Sequence, residues 1–166
     1  MFYFFNDVHE QHTSDQNFIR RLLTNLDCTI YEPGTTIVEA GKPLDHIYFN
    51  YQNKVNVLDK KQIFVLATLP EGSWFGDFNA FLNVASGFTY VALYEEDKTH
   101  SSEEGNIRTM MLMCPVDKFI SLLREYPHAY KWMLHRALIR RNYFRKIQEI
   151  LYQRHQVQQL WGHIKY

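Results

Sequence analysis

The sequence predicts a mixed α+β fold, a jelly-roll-like β-roll of about eight strands preceded by a short helix and followed by two helices. Three observations predict it. Short β-branched or aromatic runs recur at intervals of roughly ten residues, separated by turn signals, as in a sandwich or barrel. The apolar period is helical before the first of these runs and again after Cys114. A chain of 166 residues with 46% apolar and 16% aromatic content suits one packed domain with an appendage.

Residues 15–26 read as the first helix: Ser14 or Asp15 can cap it, and Phe18, Ile19, Leu22, Leu23 and Leu26 recur at helical spacing. Strands follow at Thr29–Tyr31, Thr36–Val38, His46–Phe49, Val55–Leu58 and Ile63–Leu66. Pro33-Gly34, Gly41-Lys42-Pro43, Gln52-Asn53 and Asp59-Lys60-Lys61 supply the turns between them. Trp74-Phe75, Phe88–Leu93 and Ile107–Met113 continue the sheet, and the acidic stretch 94–106 is expected to be an exposed loop. Pro115 suits the first turn of a helix whose Phe119, Ile120, Leu122 and Leu123 face inward, and Tyr126-Pro127 ends it.

A long helix then runs from about Ala129 to at least Tyr152, with no internal Gly or Pro and with Trp132 and Met133 as its expected anchors. Tyr143, Ile147, Ile150, Arg154, Val157, Trp161 and Ile164 form a weak heptad seam, interrupted by Arg154, with Gly162 expected to fray the end. The short seam favours packing back on the same domain over a dimer contact. The organisation is therefore a leader (1–14), one domain (15–152) and a basic helical tail (153–166).

Net charge is zero but unevenly spread. Residues 129–166 hold eight cations against Glu149 alone, a net +7, which leaves −7 on residues 1–128. Either the two regions dock, or the basic helix seeks an acidic partner. Arg140-Arg141 and Arg145-Lys146 are the best candidates for a partner-facing surface. Cys28 and Cys114 lie in apolar settings and read as buried free thiols of a reducing compartment. The opening Met1-Phe-Tyr-Phe-Phe lacks the basic and long apolar regions of a secretory signal, and no apolar run is long enough to span a bilayer. The expected location is the cytoplasm, with the cytosolic face of a membrane complex as one possibility.

The order and punctuation of residues 15–150 resemble the cyclic nucleotide-binding domain family. Tyr31-Glu-Pro-Gly34, Ile37, Glu39-Ala-Gly41 and Asp45-His-Ile-Tyr48-Phe49 look like its opening strands. Leu69-Pro-Glu-Gly72-Ser-Trp-Phe75-Gly76-Asp77 resembles the start of its phosphate-binding cassette. Cys114-Pro-Val-Asp117-Lys-Phe119 and Tyr126-Pro127 resemble the strand-to-helix junction and the break before its last helix. The resemblance implies a cassette helix within the strand series. It also implies a ligand pocket, if there is one, at Phe75, Gly76, Asp77, Phe78, Asn79, Ala80, Gly87, Phe88 and Thr89. In the family a turn of helix offers N–H groups to a cyclic phosphate, an acidic residue binds the ribose, an arginine pairs the phosphate and the last helix closes over the base. Arg136, Arg140 and Arg141 would then belong to that helical lid.

This chain departs from the pattern where the anion would sit. Asp77 replaces the usual glutamate, and the arginine position falls near Ser86-Gly87-Phe88, where there is no cation. No Lys, Arg or His occurs between Gln62 and Asp97. A charge-assisted hydrogen bond contributes roughly 1.5–3 kcal/mol, so its loss alone weakens a phosphate site by about ten- to a hundredfold. The turn glycine after the Tyr-Phe strand is also replaced, by Gln52-Asn53, but asparagine tolerates a left-handed backbone and the turn survives.

Ether-à-go-go-type potassium channels carry a similar domain with a Phe-Gly-Asp cassette start and no phosphate arginine, and a C-terminal segment fills its cavity. By that similarity Phe81, Phe88, Tyr90, Leu160 or Trp161 could plug a pocket here, although ordinary core is the commoner fate of such aromatics. The expected function is thus a non-catalytic regulatory or interaction module of a larger assembly, such as a channel, exchanger or scaffold. It has no cofactor and no metal, and its contact to a protein partner runs through the basic C-terminal helix. The alternative is a working cyclic AMP (cAMP) or cyclic GMP (cGMP) sensor whose phosphate is held by an arginine of the last helix.

Two other classes are disfavoured. A catabolite-activator-like regulator needs a helix-turn-helix after the last helix, and too little sequence follows residue 150 for one, so no specific nucleic acid is expected. Enzyme chemistry finds little support: His9-Glu-Gln-His12 has no third ligand nearby, His128 and His135 have no partners, and no nucleophile elbow, phosphate loop or Cys-X-X-Cys is present.

Overall fold

A computed structural model describes residues 15–93 and 108–163, without the side chains of residues 15 and 160–163. Helix α1 (Asp15–Leu23) precedes strands β1 (Asp27–Tyr31), β2 (Thr36–Val38), β3 (His46–Gln52), β4 (Val55–Leu58), β5 (Val65–Leu69) and β6 (Trp74–Phe75). The short helix α2 (Asp77–Leu82) follows, then β7 (Thr89–Ala92), β8 (Thr109–Pro115), α3 (Val116–Arg124) and α4 (Pro127–His163). The strands form two antiparallel four-stranded sheets, ordered β1-β8-β3-β6 and β2-β7-β4-β5. This is the α+β β-roll expected from the sequence, with its leading helix, internal helix and two closing helices.

The alternation of β3 explains why His46-Ile-Tyr-Phe49 is apolar on both faces. Successive side chains of a strand point to opposite sides. Ile47 and Phe49 enter a cluster with Phe18, Leu22, Trp74, Phe119, Leu123 and Met133, which packs the helices on the first sheet. Tyr48 points the other way, into the inter-sheet core with Val55, Val57, Phe75, Tyr90, Met111 and Phe144. Phe75 lies between Tyr48, at 5.0 Å, and Tyr90, at 4.0 Å, in near-parallel stacks, so three rings tie one sheet to the other. Burial pushes the Tyr48 hydroxyl up to about 12, which keeps it neutral in that core.

Several sequence expectations shift in the structure. The strand expected at Ile63–Leu66 is Val65–Leu69 instead. Buried Asp59 accepts the backbone N–H groups of Lys61 and Phe64, and Gln62 takes a left-handed backbone, so 59–64 is a built turn. Asn53 takes the left-handed conformation its turn requires, φ 69°. Cys28 is exposed, contrary to expectation, because β1 is an edge strand and the residue faces outward; Cys114 is buried as expected. Helix α4 starts two residues earlier than expected and continues unbroken past Gly162 to His163. The leader, the acidic stretch 94–106 and the side chain of Trp161 lie outside the described residues. No helix among the described residues is long and apolar enough to cross a membrane.

Candidate functional site

The candidate site forms where α2 meets α4. Gly76 precedes α2 with φ 95° and ψ −18°, a left-handed conformation that glycine adopts without steric cost. A Cβ there would lie 3.0 Å from the His46 carbonyl oxygen and 3.1 Å from Leu44 Cδ2. This turn drops Asp77 into the protein, where the residue is 1% exposed.

Every strong interaction of that carboxylate is internal. Arg140 Nη2 donates to both Asp77 oxygens at 2.5 Å. Trp74 Nε1 donates to Oδ2 at 2.8 Å, and the Phe78 backbone N–H donates to Oδ1 at 2.9 Å. The Arg140 guanidinium also lies over the Trp74 ring, 4.9 Å from its centroid, and Trp74 stacks on Trp132 at 5.9 Å. A charged carboxylate in so dry a place is tenable because a cation and two N–H donors meet it there. The long helix is thereby joined to the first turn of α2 by an ion pair and to β6 by two contacts with the Trp74 ring.

Beside this pair is a cavity of about 410 Å³. Its floor and walls include Gly76, Phe78, Asn79, Leu82, Gly87, Phe88 and Tyr90, and α4 supplies Ala137, Arg140, Arg141, Phe144, Arg145 and Gln148. Asn79 bridges its rim by donating from Nδ2 to the Ala85 carbonyl at 2.8 Å. Ser86 Oγ donates to the Phe88 carbonyl at 2.6 Å and accepts the Phe88 N–H, so the loop after α2 is closed by its own polar groups. The Arg141 guanidinium sits 4.4 Å above the Phe78 ring.

Of the residues expected at a pocket, Gly76, Asp77, Phe78, Asn79, Gly87 and Phe88 line the cavity, and so do Arg140 and Arg141. Three lie elsewhere. Phe75 is consumed in the ring stack between the sheets. Ala80 packs against the helical core, its N–H donating to Gly76 O. Thr89 is buried and accepts the Ala40 N–H. Arg136 is also outside, its guanidinium 5.6 Å over the Trp132 ring.

The cassette segment is as poor in cations as the sequence says, but the cavity is not: α4 lays Arg140, Arg141 and Arg145 along one wall. Arg140-Arg141 therefore turn inward and are not the outward partner surface expected of them. Sequence reading missed Arg145, Gln148 and Phe144 as lining residues. Their signal was the helical recurrence 137, 141, 144, 145, 148, which marks a wall once Ala137 is known to be buried. Phe88 meets Phe144 edge to face at 5.4 Å, and Phe81 meets Tyr130 likewise at 5.1 Å, so these two candidate plugs are packing residues. Among the described residues no group of three or more His, Cys, Asp or Glu could hold a metal ion.

A second junction holds the far half of α4. The Tyr152 hydroxyl donates to Asp59 Oδ2 at 2.6 Å, and Phe64 packs edge-on against Tyr152 at 5.1 Å and against the ring of His155 at 5.6 Å. Burial alone would raise the Asp59 pKa, but the hydrogen bonds from Tyr152 and from the turn N–H groups outweigh it and hold the carboxyl below its ordinary value.

No family model matches the chain. Over 116 residues, 69% of its length, it is 27% identical to the potassium/sodium hyperpolarization-activated cyclic nucleotide-gated channel 2 of Mus musculus and of Rattus norvegicus. Over 114 residues it is 27% identical to channel 4 of Oryctolagus cuniculus. The chain spans 12% of the length of the first two relatives and 8% of the third. Among solved structures, the catabolite activator protein of Thermus thermophilus matches with a TM-score of 0.63 and 19% identity, over 86% of this chain and 62% of that one.

Proposed function

We propose that this chain, a cyclic nucleotide-binding-like domain distantly homologous to the cyclic nucleotide-gated channels and sharing the fold of the catabolite activator protein, is a non-catalytic regulatory module whose last helix is latched shut by its own residues. One observation carries the reading. Asp77, at the position where the family's resemblance implies a ribose-binding acid, is buried and already paired with Arg140 of α4. In a ligand-operated member the nucleotide would bring cassette and last helix together. Here an intramolecular ion pair and the Trp74–Trp132 stack supply the same closure. Removing Asp77 from that pair to serve a ribose would strand Arg140, a cost of several kcal/mol for a buried pair. The module would serve a larger cytosolic or membrane-associated assembly, a reading supported by its match to only 8–12% of the length of the channel relatives, with α4 as the output element.

Calorimetric titration of the purified chain with cAMP and with cGMP tests this. The expected result is no saturable heat at micromolar ligand, and a micromolar dissociation constant would sink the proposal.

A second reading has a specific observation in its favour. The cavity beside the latch has room for a small ligand, and Arg141 and Arg145 line it without being part of the Asp77 pair. In that case a cyclic nucleotide would put its phosphate against the α4 arginines instead of against the cassette, and Arg141→Ala or Arg145→Ala would abolish the calorimetric signal.

A further inference from the structure

The outward side of α4 carries an apolar stripe that the domain itself leaves uncovered. Ile139, Tyr143, Ile150 and Val157 are 50%, 55%, 37% and 51% exposed. Their spacing of four, seven and seven residues keeps them within an arc of about 40° over about 27 Å of helix, at 100° and 1.5 Å per residue. Met133, Ala137 and Phe144, the buried residues of the same helix, lie about 120° around it from the stripe, so the stripe is turned away from the core. Exposed Lys146 runs along one flank of the stripe and exposed Arg154 along the other. Glu149 is the one acidic residue of the whole helix, against seven Lys and Arg.

These charges bear on what can cover the stripe. A second copy of α4 packed parallel and in register would bring Lys146 to Lys146 and Arg154 to Arg154, like charges facing each other. An acidic amphipathic helix meets both requirements, since its apolar face covers Ile139, Tyr143, Ile150 and Val157 while its carboxylates reach Lys146 on one flank and Arg154 on the other. We propose that the outer face of α4 is a docking surface for an acidic amphipathic helix of a partner protein. The inference rests on the reading of the chain as a module of a larger assembly, and it names the face and the chemistry of the partner.

The test uses the full chain and three fluorescent helical peptides of about 21 residues: one with leucines at heptad positions and glutamates on the flanks, a lysine-flanked counterpart, and a scrambled glutamate peptide. Anisotropy should show saturable, salt-weakened binding of the patterned acidic peptide and at least tenfold weaker binding of the other two. Tyr143→Asp and Ile150→Asp should each weaken the acidic peptide at least tenfold. Lys146→Glu with Arg154→Glu should reverse the preference toward the lysine peptide. All four substituted residues are exposed, so thermal unfolding should match the parent chain and separates lost docking from lost fold.

Equal binding of acidic and basic peptides, or binding indifferent to Tyr143 and Ile150, overturns the proposal. So does a dimer in sedimentation that Tyr143→Asp dissolves, because the occupant would then be a second copy. Cyclic nucleotide binding with peptide docking intact would count against the latch alone, so the two readings fail separately.

Discussion

Arg140 and Asp77, sixty-three residues apart, share a carboxylate contact at 2.5 Å with the aspartate side chain 2% exposed and the arginine side chain 21% exposed. The pair joins the first turn of α2 to the middle of α4 at the wall of the cavity. Closure of the last helix is thus a property of the chain's own residues.

Removing both members should cost little more than removing Arg140 alone. Arg140→Ala leaves a buried carboxylate with only the Trp74 and Phe78 N–H groups, and a loss of about 3 kcal/mol is expected. Asp77→Asn keeps an oxygen for those donors and should cost less. In the double variant the second substitution should add little, giving a coupling energy of at least about 1 kcal/mol in a denaturant-melt cycle. Strict additivity would show that the pair contributes nothing to closure.

Gly76→Ala should be destabilising through the backbone and through space together. Alanine in a left-handed conformation costs about 1–2 kcal/mol. Its Cβ would press on the His46 carbonyl and Leu44, which raises the expected total to roughly 2–3 kcal/mol. The check is the thermal midpoint, expected to fall by about 5–10 °C for a domain of this size. An unchanged midpoint would mean the α2 turn is not held as described.

The Asp59–Tyr152 contact gives a pH signature confined to the end of α4. The folded Asp59 pKa lies below its ordinary 3.8, so its contribution is present above that value and fades as pH falls through the lowered one. Tyr152 shifts the other way, above 10.0, chiefly because its hydroxyl donates to Asp59. Its contribution is therefore complete below pH 10 and lost as pH rises through the raised value. Hydrogen-exchange protection across residues 145–159, taken relative to each amide's intrinsic rate at the same pH, should be greatest between these limits and fall below about pH 4. Tyr152→Phe should speed exchange there at neutral pH and remove the acid limb, leaving β3 and β8 unaffected.

Arg21 and Glu125 form a bidentate contact at 2.5 and 2.9 Å linking α1 to the end of α3, yet both side chains are about half exposed. Their mutual hydrogen bond raises the arginine pKa and lowers that of the glutamate, but solvent screens such a pair. Glu125→Gln should leave the thermal midpoint unchanged within error at physiological salt. A clear drop would mean that this contact, more than the apolar burial of Phe18 and Leu22, fastens α1 to the domain.

Legibility in the sequence followed the range of the forces involved. Gly34, Gly41 and Gly76 stand at turns with φ of 81°, 89° and 95°, so local backbone demands were visible as residue types. The two-sided burial of His46-Ile-Tyr-Phe49 was visible as a continuous apolar run. The turn at 59–64 was missed at its end because its shape depends on an aspartate that folds back onto the chain and also accepts from Tyr152, ninety-three residues away. Cys28 was misread because an apolar neighbourhood in sequence does not tell an edge strand from a central one.

By itself the sequence determined the β-roll, the order of its elements, the Phe75-Gly76-Asp77 cassette start and the lack of cations around it, since these follow from period, turn chemistry and residue type. The tertiary structure alone decided the rotation of α4 and hence the roles of its arginines. Apolar residues occur on nearly every side of that helix, so periodicity leaves its phase open. Burial of Met133, Ala137 and Phe144 sets the phase, and with it sends Arg140 to Asp77, Arg141 and Arg145 to the cavity wall, and Ile139, Tyr143 and Ile150 to the solvent.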